Sequence, residues 1–339
     1  MSYKREKQVA ITAVAAAAKL CEQVRREQGS LTIALGDHLA SFAKPDSSPV
    51  TIADFAAQAV ICQALAIAFP SDPVIGEEDA VSLLSPTMTE RLALVTHYVQ
   101  AQIPGATPEA VTAWIDWGNG EVESRYWTLD PIDGTKGYIR GDQYAIALAL
   151  VEAGEVKLGV LGCPALPIDA AQPEGERGVL FVAVRGQGTA MIPLKGGEPQ
   201  LLHVPNADDV GLLQLVESVE WGHSNIALQE AVAQAVGLSA PPLRIDSQAK
   251  YGVVARGQAT LHMRFPPAEW PEKRENTWDH AAGAIVVEEA GGRVTDMYGQ
   301  PLDFSFGTKL VNNQGIIASN GVIHEAVLAA VAKRLKVEG

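Results

Sequence analysis

The stretch W-T-L-D-P-I-D-G-T-K-G at residues 127–137 limits what this chain can fold into more than any other. Its apolar start predicts a strand, Tyr126–Leu129, that delivers Asp130 to a corner. Pro131 has no backbone donor and predicts the end of strand pairing there. Asp133-Gly134-Thr135 predicts a turn or helix start. Two carboxylates placed across such a corner can converge on a hard cation, and free N–H groups after Gly134 can receive an anionic phosphate. A plain strand-ending turn uses the same residue types, so the stretch alone leaves both readings open. It does exclude the pattern D-x-D-G-T of an aspartyl nucleophile, because Pro131 takes the place of one of the two aspartates. Direct attack by a water that metal ions activate is favoured over a covalent aspartyl-phosphate.

The rest of the chain supplies the bulk such a corner needs. With 339 residues, 47% hydrophobic and 19% charged, it is too apolar for disorder and long enough for two domains. The net charge of −14 argues against a nucleic-acid polymer as partner, while a small anion remains compatible with a local cluster of cations. Three cysteines without a C-x-x-C pair predict neither a disulfide framework nor a zinc site, which suits a reducing, cytoplasmic setting. The N-terminal segment reads as an amphipathic helix rather than a signal peptide, and the uncharged stretch between Asp54 and Asp72 as a buried helix. No membrane partner is expected.

Helices are predicted over 4–28, ending near Gly29, and over 52–69. Between Leu83 and Gly118 the pattern is helical with breaks at Pro86 and Pro104-Gly105. Tyr126–Leu129, Ala145–Val151, Val156–Leu161 and Val179–Val184 read as an antiparallel meander with a turn at Ala153-Gly154. Residues 193–209, rich in Pro, Gly and polar residues, predict a boundary between an α+β domain, 1–205, and an α/β domain, 206–339. The second contains strands at Leu213–Glu217 and Ile316–Ala318 and helices at Ile226–Val236, Ala281–Ala290 and Val322–Leu335. Arg185-Gly186-Gln187-Gly188 lacks the third glycine of a dinucleotide fingerprint and reads as a turn.

Three other acidic segments are unremarkable singly. Gly76-Glu77-Glu78-Asp79 could be a solvated loop, Trp278-Asp279 an N-cap before His280-Ala281, and Asp54 a helix-start residue. Together, the order GEED, DPIDGT and WDHAAG resembles the lithium-sensitive, magnesium-dependent phosphatase superfamily of inositol monophosphatase and fructose-1,6-bisphosphatase. The resemblance implies a layered αβαβα fold with the metals in a cleft between the domains. It implies two or three Mg²⁺ ions held by Glu77, Asp130, Asp133 and Asp279 and by the Ile132 carbonyl. It further implies that Thr135, Asp54 and Glu77 serve the attacking water, with Lys44 nearby.

S-V-E-W-G-H-S at 218–224, R-I-D-S-Q-A-K-Y-G at 244–252 and L-H-M-R-F-P at 261–266 resemble the 3′(2′),5′-bisphosphate nucleotidases, as does the long interval from Glu77 to Asp130. This branch implies hydrolysis of adenosine 3′,5′-bisphosphate (PAP) to AMP and phosphate, extending to the sulfated nucleotide PAPS, in the setting of sulfur assimilation. The implied substrate contacts are Thr135, His223, Ser247, Lys250, Arg264 and Asp279. An inositol (poly)phosphate 1-phosphatase or a broad sugar-phosphate phosphatase is the alternative on the same metal site. Residues 265–277, longer and more charged than expected of the branch, put the placement of Arg264 in question.

Overall fold

The computed structural model describes residues 2–35, 41–43, 49–205, 213–220 and 224–338, with the side chains of 28–49, 337 and 338 left aside. In chain order the elements begin with α1 (Lys4–Leu35), β1 (Ser41–Ala43), β2 (Pro49–Thr51), α2 (Ile52–Ala68) and β3 (Val74–Gly76). Next come α3 (Thr89–Gln100), α4 (Pro108–Asp116), β4 (Arg125–Asp133), α5 (Thr135–Arg140), β5 (Ala145–Glu152), β6 (Glu155–Pro167) and β7 (Arg177–Val184). These are followed by β8 (Gly188–Pro193), β9 (Gln200–Leu202), β10 (Leu215–Glu217), α6 (Ile226–Ala235), β11 (Leu243–Arg244), α7 (Ala249–Ala255) and β12 (Leu261–Arg264). The chain ends with α8 (Ala281–Glu289), β13 (Arg293–Thr295), β14 (Ile316–Ser319) and α9 (His324–Glu338).

A seven-stranded sheet runs in the order β3 to β9. Only β3 pairs in parallel, with β4; from β4 onward the strands form an antiparallel meander, as expected. Ala153 and Gly154 both have positive φ, 51° and 76°, giving the tight turn that the right-handed twist of a hairpin favours. The meander is longer than expected, because β8 follows the turn at 185–188 and β9 lies within the segment read as a domain boundary. A five-stranded sheet has the order β11-β10-β12-β14-β13, parallel around β10 and antiparallel beyond β12.

One face of the larger sheet, through Trp127, Leu129, Ile146 and Val160, packs on α1 and α2. Its other face, through Tyr126, Ala147 and Phe181, packs on α7 and α8, which also touch Val216 and Ala318 of the smaller sheet. That sheet is closed outside by Leu228 and Val232 of α6 and Val327 and Val331 of α9. The result is the αβαβα sandwich implied by the resemblance.

Two local expectations need correction. α1 passes through Gly29 and continues to Leu35; a lone glycine inside a helix costs only about 1 kcal/mol and does not end it without a left-handed cap. Strand β4 also continues through Pro131, because the register slips there from Asp130↔Ala147 to Asp133↔Ala145. The extra residue is a β-bulge, where a missing donor is tolerated.

Candidate active site

The bulge in β4 is what turns Asp130 and Asp133 toward one side. Just beyond it Gly134 adopts φ +83°, and a Cβ there would lie 3.0 Å from the Ser247 Cβ. At Gly137 a Cβ would come within 2.3 Å of the Gln143 carbonyl oxygen. These two glycines let α5 press against the 246–247 turn, where Ser247 itself holds a strained φ of 69°. The contact is sealed by the Gln248 N–H, which donates to Asp133 Oδ2 at 2.6 Å.

Glu77 arrives along the parallel neighbour. The Glu77 N–H donates to the Leu129 carbonyl at 3.1 Å, so the residue after β3 stands beside Asp130. Buried Gln58 accepts from the Glu78 N–H at 3.1 Å and donates to the Ile115 carbonyl at 2.9 Å, fixing the turn after Glu77. Asp279 enters from the other side. The cap of α8 is His280, without a side-chain capping bond, so Asp279 is not the N-cap.

Glu77, Asp130, Asp133 and Asp279 therefore line one cleft of about 370 Å³, with Ile132, Thr135, Ser247, Lys250 and Arg264. Asp130 is held well above the ordinary carboxylate range by burial, then by Glu77, Asp133 and Asp279. Burial also raises Asp133, against Lys250 and the Gln248 N–H. Asp279 is raised to about 6 by burial, with Arg264 opposing. Lys250 is pulled down to about 8, chiefly by burial, although Asp133 favours its charge. Asp130 Oδ1 is buried without a hydrogen-bond partner among the described residues. An oxygen-only donor set with such an orphaned atom and crowded negative charge fits a hard divalent cation.

Thr135 Oγ1 lies 3.3 Å from Asp54 Oδ1 and 3.1 Å from the Ile132 carbonyl. The other carboxylate oxygen of Asp54 closes a capping box on α2, accepting the Thr51 N–H at 2.8 Å and its hydroxyl at 2.6 Å. The helix-start role and the contact with Thr135 thus coexist. Tyr251 is 1% exposed and its hydroxyl meets His280 Nδ1 at 2.7 Å, which places it in the core. His223 and Lys44 lie outside the described residues.

Arg264 reaches the cleft already paired, 2.8 Å from buried Glu275 and 3.7 Å from Asp279. Glu275, Asp279 and His280 come close enough together to hold an ion, but the Arg264 guanidinium stands beside them. Burial works to raise Glu275, yet Arg264 and then His280 hold its carboxyl well below the usual range. The sequence reading missed Glu275, as it missed Asp246, which accepts from Arg140 and from the Val219 N–H. It also missed the cleft lysines Lys273 and Lys309. The unusual charge of 265–277 marked the segment that holds Glu275 and Lys273 without singling out either residue, and Asp246 and Lys309 lie outside it.

The inositol monophosphatase family matches residues 5–336. Among curated relatives, the 3′(2′),5′-bisphosphate nucleotidase of Emericella nidulans is 40% identical, covering 99% of this chain and 100% of that protein. The Schizosaccharomyces pombe protein of the same name is 42% identical over 98% of this chain and 96% of its own. Among solved structures, a Thermotoga maritima IMPase aligns with a TM-score of 0.61 at 23% identity, covering 97% of this chain and 98% of that one. An Anabaena inositol monophosphatase gives a TM-score of 0.58 at 20% identity, covering 96% and 95%. A cleft of acidic corners on this sandwich, and a match across nearly the whole sequence, lead to one conclusion: the chain belongs to the inositol monophosphatase family.

Proposed function

We propose that this chain is a Mg²⁺-dependent, lithium-sensitive phosphomonoesterase that converts adenosine 3′,5′-bisphosphate to AMP and phosphate. The observation that carries the metal-dependent chemistry is the orphaned Asp130 Oδ1, buried amid Glu77, Asp133 and Asp279. The near-full-length relatives named as bisphosphate nucleotidases support the substrate. The same pocket extends to PAPS, whose 3′-phosphate is chemically equivalent. Glu77, Asp130, Asp133, Asp279 and the Ile132 carbonyl would hold two or three ions in a cleft between residues 1–205 and 206–339. When bound, such ions neutralise the carboxylates and phosphate oxygens and make a nearby water more acidic.

The chain's own groups then orient the attack. The Thr51 cap fixes Asp54 so that Oδ1 faces Thr135. Thr135 has one proton, which it directs to Asp54 Oδ1 or the Ile132 carbonyl; its lone pair accepts a proton from the water and aims the water oxygen at phosphorus. As the new oxygen–phosphorus bond forms, the phosphorus–O3′ bond breaks. One water proton passes through Thr135 to Asp54, and the leaving 3′ oxygen takes a proton from solvent. Lys250, buried beside Asp133, offers positive charge to the phosphate oxygens. Ser247, two residues before α7, lines the same cleft, and its hydroxyl oxygen accepts the Ala249 N–H at 3.2 Å.

Phosphate release from PAP, PAPS and inositol 1-phosphate, each with and without Mg²⁺ and Li⁺, tests this. The expected result is fastest release from PAP, dependence on Mg²⁺ and inhibition by Li⁺. Faster release from inositol 1-phosphate would overturn the substrate assignment in favour of an inositol-phosphate phosphatase.

A further inference from the structure

Gln248 is bonded at both ends of the carboxylate cluster without being an acid itself. It is 1% exposed and stands one residue before α7. Its backbone N–H donates to Asp133 Oδ2 at 2.6 Å, at the end of β4. Its side-chain Nε2 donates to the Trp278 carbonyl at 2.8 Å, and its Oε1 accepts the Gly283 N–H at 3.0 Å. The bond to Trp278 bears directly on Asp279. That carbonyl and the Asp279 nitrogen share one planar peptide unit, so holding the carbonyl holds the plane from which the Asp279 side chain leaves. The bond to Gly283 replaces a missing cap. His280 gives the first turn of α8 no side-chain bond, and Gln248 meets one of the N–H groups that a helix start leaves open.

We infer that Gln248 is the positioning residue that fixes Asp133 relative to Asp279, and through them sets the affinity of the cleft for divalent cations. The inference rests on the proposed metal-binding role of the cleft and deepens it, because it names a group outside the donor set that assembles two donors from separate elements. Glu77 needs no such help, since the pairing of β3 with β4 already places it beside Asp130. Asp133 and Asp279 come from elements that do not pair, and their like charges repel. Gln248 can bridge them only if it is itself immobile, and the turn before it is pinned. Asp246 accepts from the Arg140 guanidinium of α5 with one oxygen and from the Val219 N–H at 3.2 Å with the other. Between Asp246 and Gln248, Ser247 keeps its φ of 69°, a conformation that persists only where the surroundings enforce it. On the far side α8 packs hard against α7, since a Cβ at Gly283 would lie 2.3 Å from Tyr251 Cδ2. The close approach brings the Gly283 N–H within reach of the Gln248 amide.

Gln248→Met tests this, because it removes the amide and keeps both the backbone N–H on Asp133 and most of the side-chain volume. Mg²⁺ titrated calorimetrically into chelator-treated protein without substrate should bind about 10- to 100-fold more weakly, the usual cost of losing a group that orients a metal ligand. The Mg²⁺ concentration for half-maximal phosphate release should rise in step, while KM for PAP at saturating Mg²⁺ stays within about threefold. Gln248→Asn, an amide too short to reach both partners, should weaken Mg²⁺ binding by an intermediate factor, and it decides the question if the Met variant does not fold. Thr189→Val is the structural control, since Thr189 Oγ1 donates to the Val286 carbonyl of the same helix at 2.8 Å, outside the cleft. It should lower the melting temperature of the cation-free protein and leave Mg²⁺ affinity within twofold of wild type. If the Gln248 variants bind Mg²⁺ within twofold of wild type, or Thr189→Val weakens binding as much as they do, Gln248 merely holds α8 and the positioning role is wrong, while the metal reading stands. If the wild-type protein itself takes up no Mg²⁺, the metal reading fails and the inference falls with it.

Discussion

Two acidic clusters in this molecule look alike in sequence and differ in what answers them. On the surface between β6, β7 and α8, Arg185 stands among Glu155, Glu288 and Glu289 at 3.2, 2.7 and 3.6 Å. Glu289 also accepts the Gly186 and Gly188 N–H groups at 2.9 Å each. In the cleft, Glu77, Asp130, Asp133 and Asp279 crowd together, with Asp130 left short of a donor. The first cluster carries its own cation. The second gathers more carboxylates than Arg264 and Lys250 beside it answer, at the expense of stability, as binding sites commonly are. Acidity alone is no functional signal; acidity without compensation is.

The sharpest way to break the contrast is Asp130→Asn. Phosphate release should fall about 10²- to 10³-fold, an effect of the size seen when a principal transition-state stabiliser is removed. The cation-free variant should nonetheless melt a few degrees higher than the cation-free wild type, because one buried, repelled carboxylate is gone. Unchanged phosphate release would remove the carboxylate cluster from the mechanism. Thr135→Ala comes next. It leaves the cluster intact and removes the hydroxyl between Asp54 and the water, so kcat should drop about 10²-fold with little change in KM. A fall in melting temperature comparable to the loss in rate would show instead that Thr135 serves only to hold the β4–α5 corner.

How much of this was legible before the fold differs between the two sheets. The larger sheet could be read because β5 and β6 are long, strongly apolar and joined by Ala153-Gly154. β12 has only four residues, Leu261–Arg264, and although they alternate apolar and polar, the run is at the lower limit of what can be read as a strand. α7 was hidden because its residues drew attention as substrate contacts. In the site, the order of three acidic segments revealed the carboxylates, whereas Glu275 was invisible: nothing local separates it from Glu272, although their side chains are 3% and 88% exposed. Only the fold, bringing Arg264 from β12 against the loop before α8, makes one glutamate structural and leaves the other in water. Pro131 misled for a related reason, since a bulge cannot be read from one strand without its partner.

The contrast also has a pH signature. In the cation-free protein Asp279 titrates near 6, above its unfolded value near 4, so between those values the folded state binds the extra proton. Stability should therefore fall as pH rises from about 4 through 6, by on the order of 2 kcal/mol from this group. Urea unfolding of chelator-treated protein should show that decline, and Asp279→Asn should flatten it. Added Mg²⁺ should restore stability most at pH 7–8, where the cluster is ionised; equal stabilisation at pH 5 would contradict the assignment.

Arg185→Met is the smallest effect and the closest mirror of the cleft, because it takes the cation from a cluster that normally has one. Arg185 is 30% exposed on its side chain and Glu289 11%, so solvent screens part of the loss, and about 1–2 kcal/mol of stability should disappear at pH 7.5. Burial already raises Glu288, and Arg185 opposes that rise. Without Arg185, Glu288 should hold its proton to higher pH still, so the deficit should shrink as the pH falls. Added Mg²⁺ should stabilise the variant no more than the wild type, since Glu289 is bound to two backbone N–H groups and is not arranged to chelate. If Mg²⁺ instead rescued the variant fully, any cluster of uncompensated carboxylates on this fold would take the ion. The geometry of the β4 bulge would then lose its claim to be what makes the cleft special.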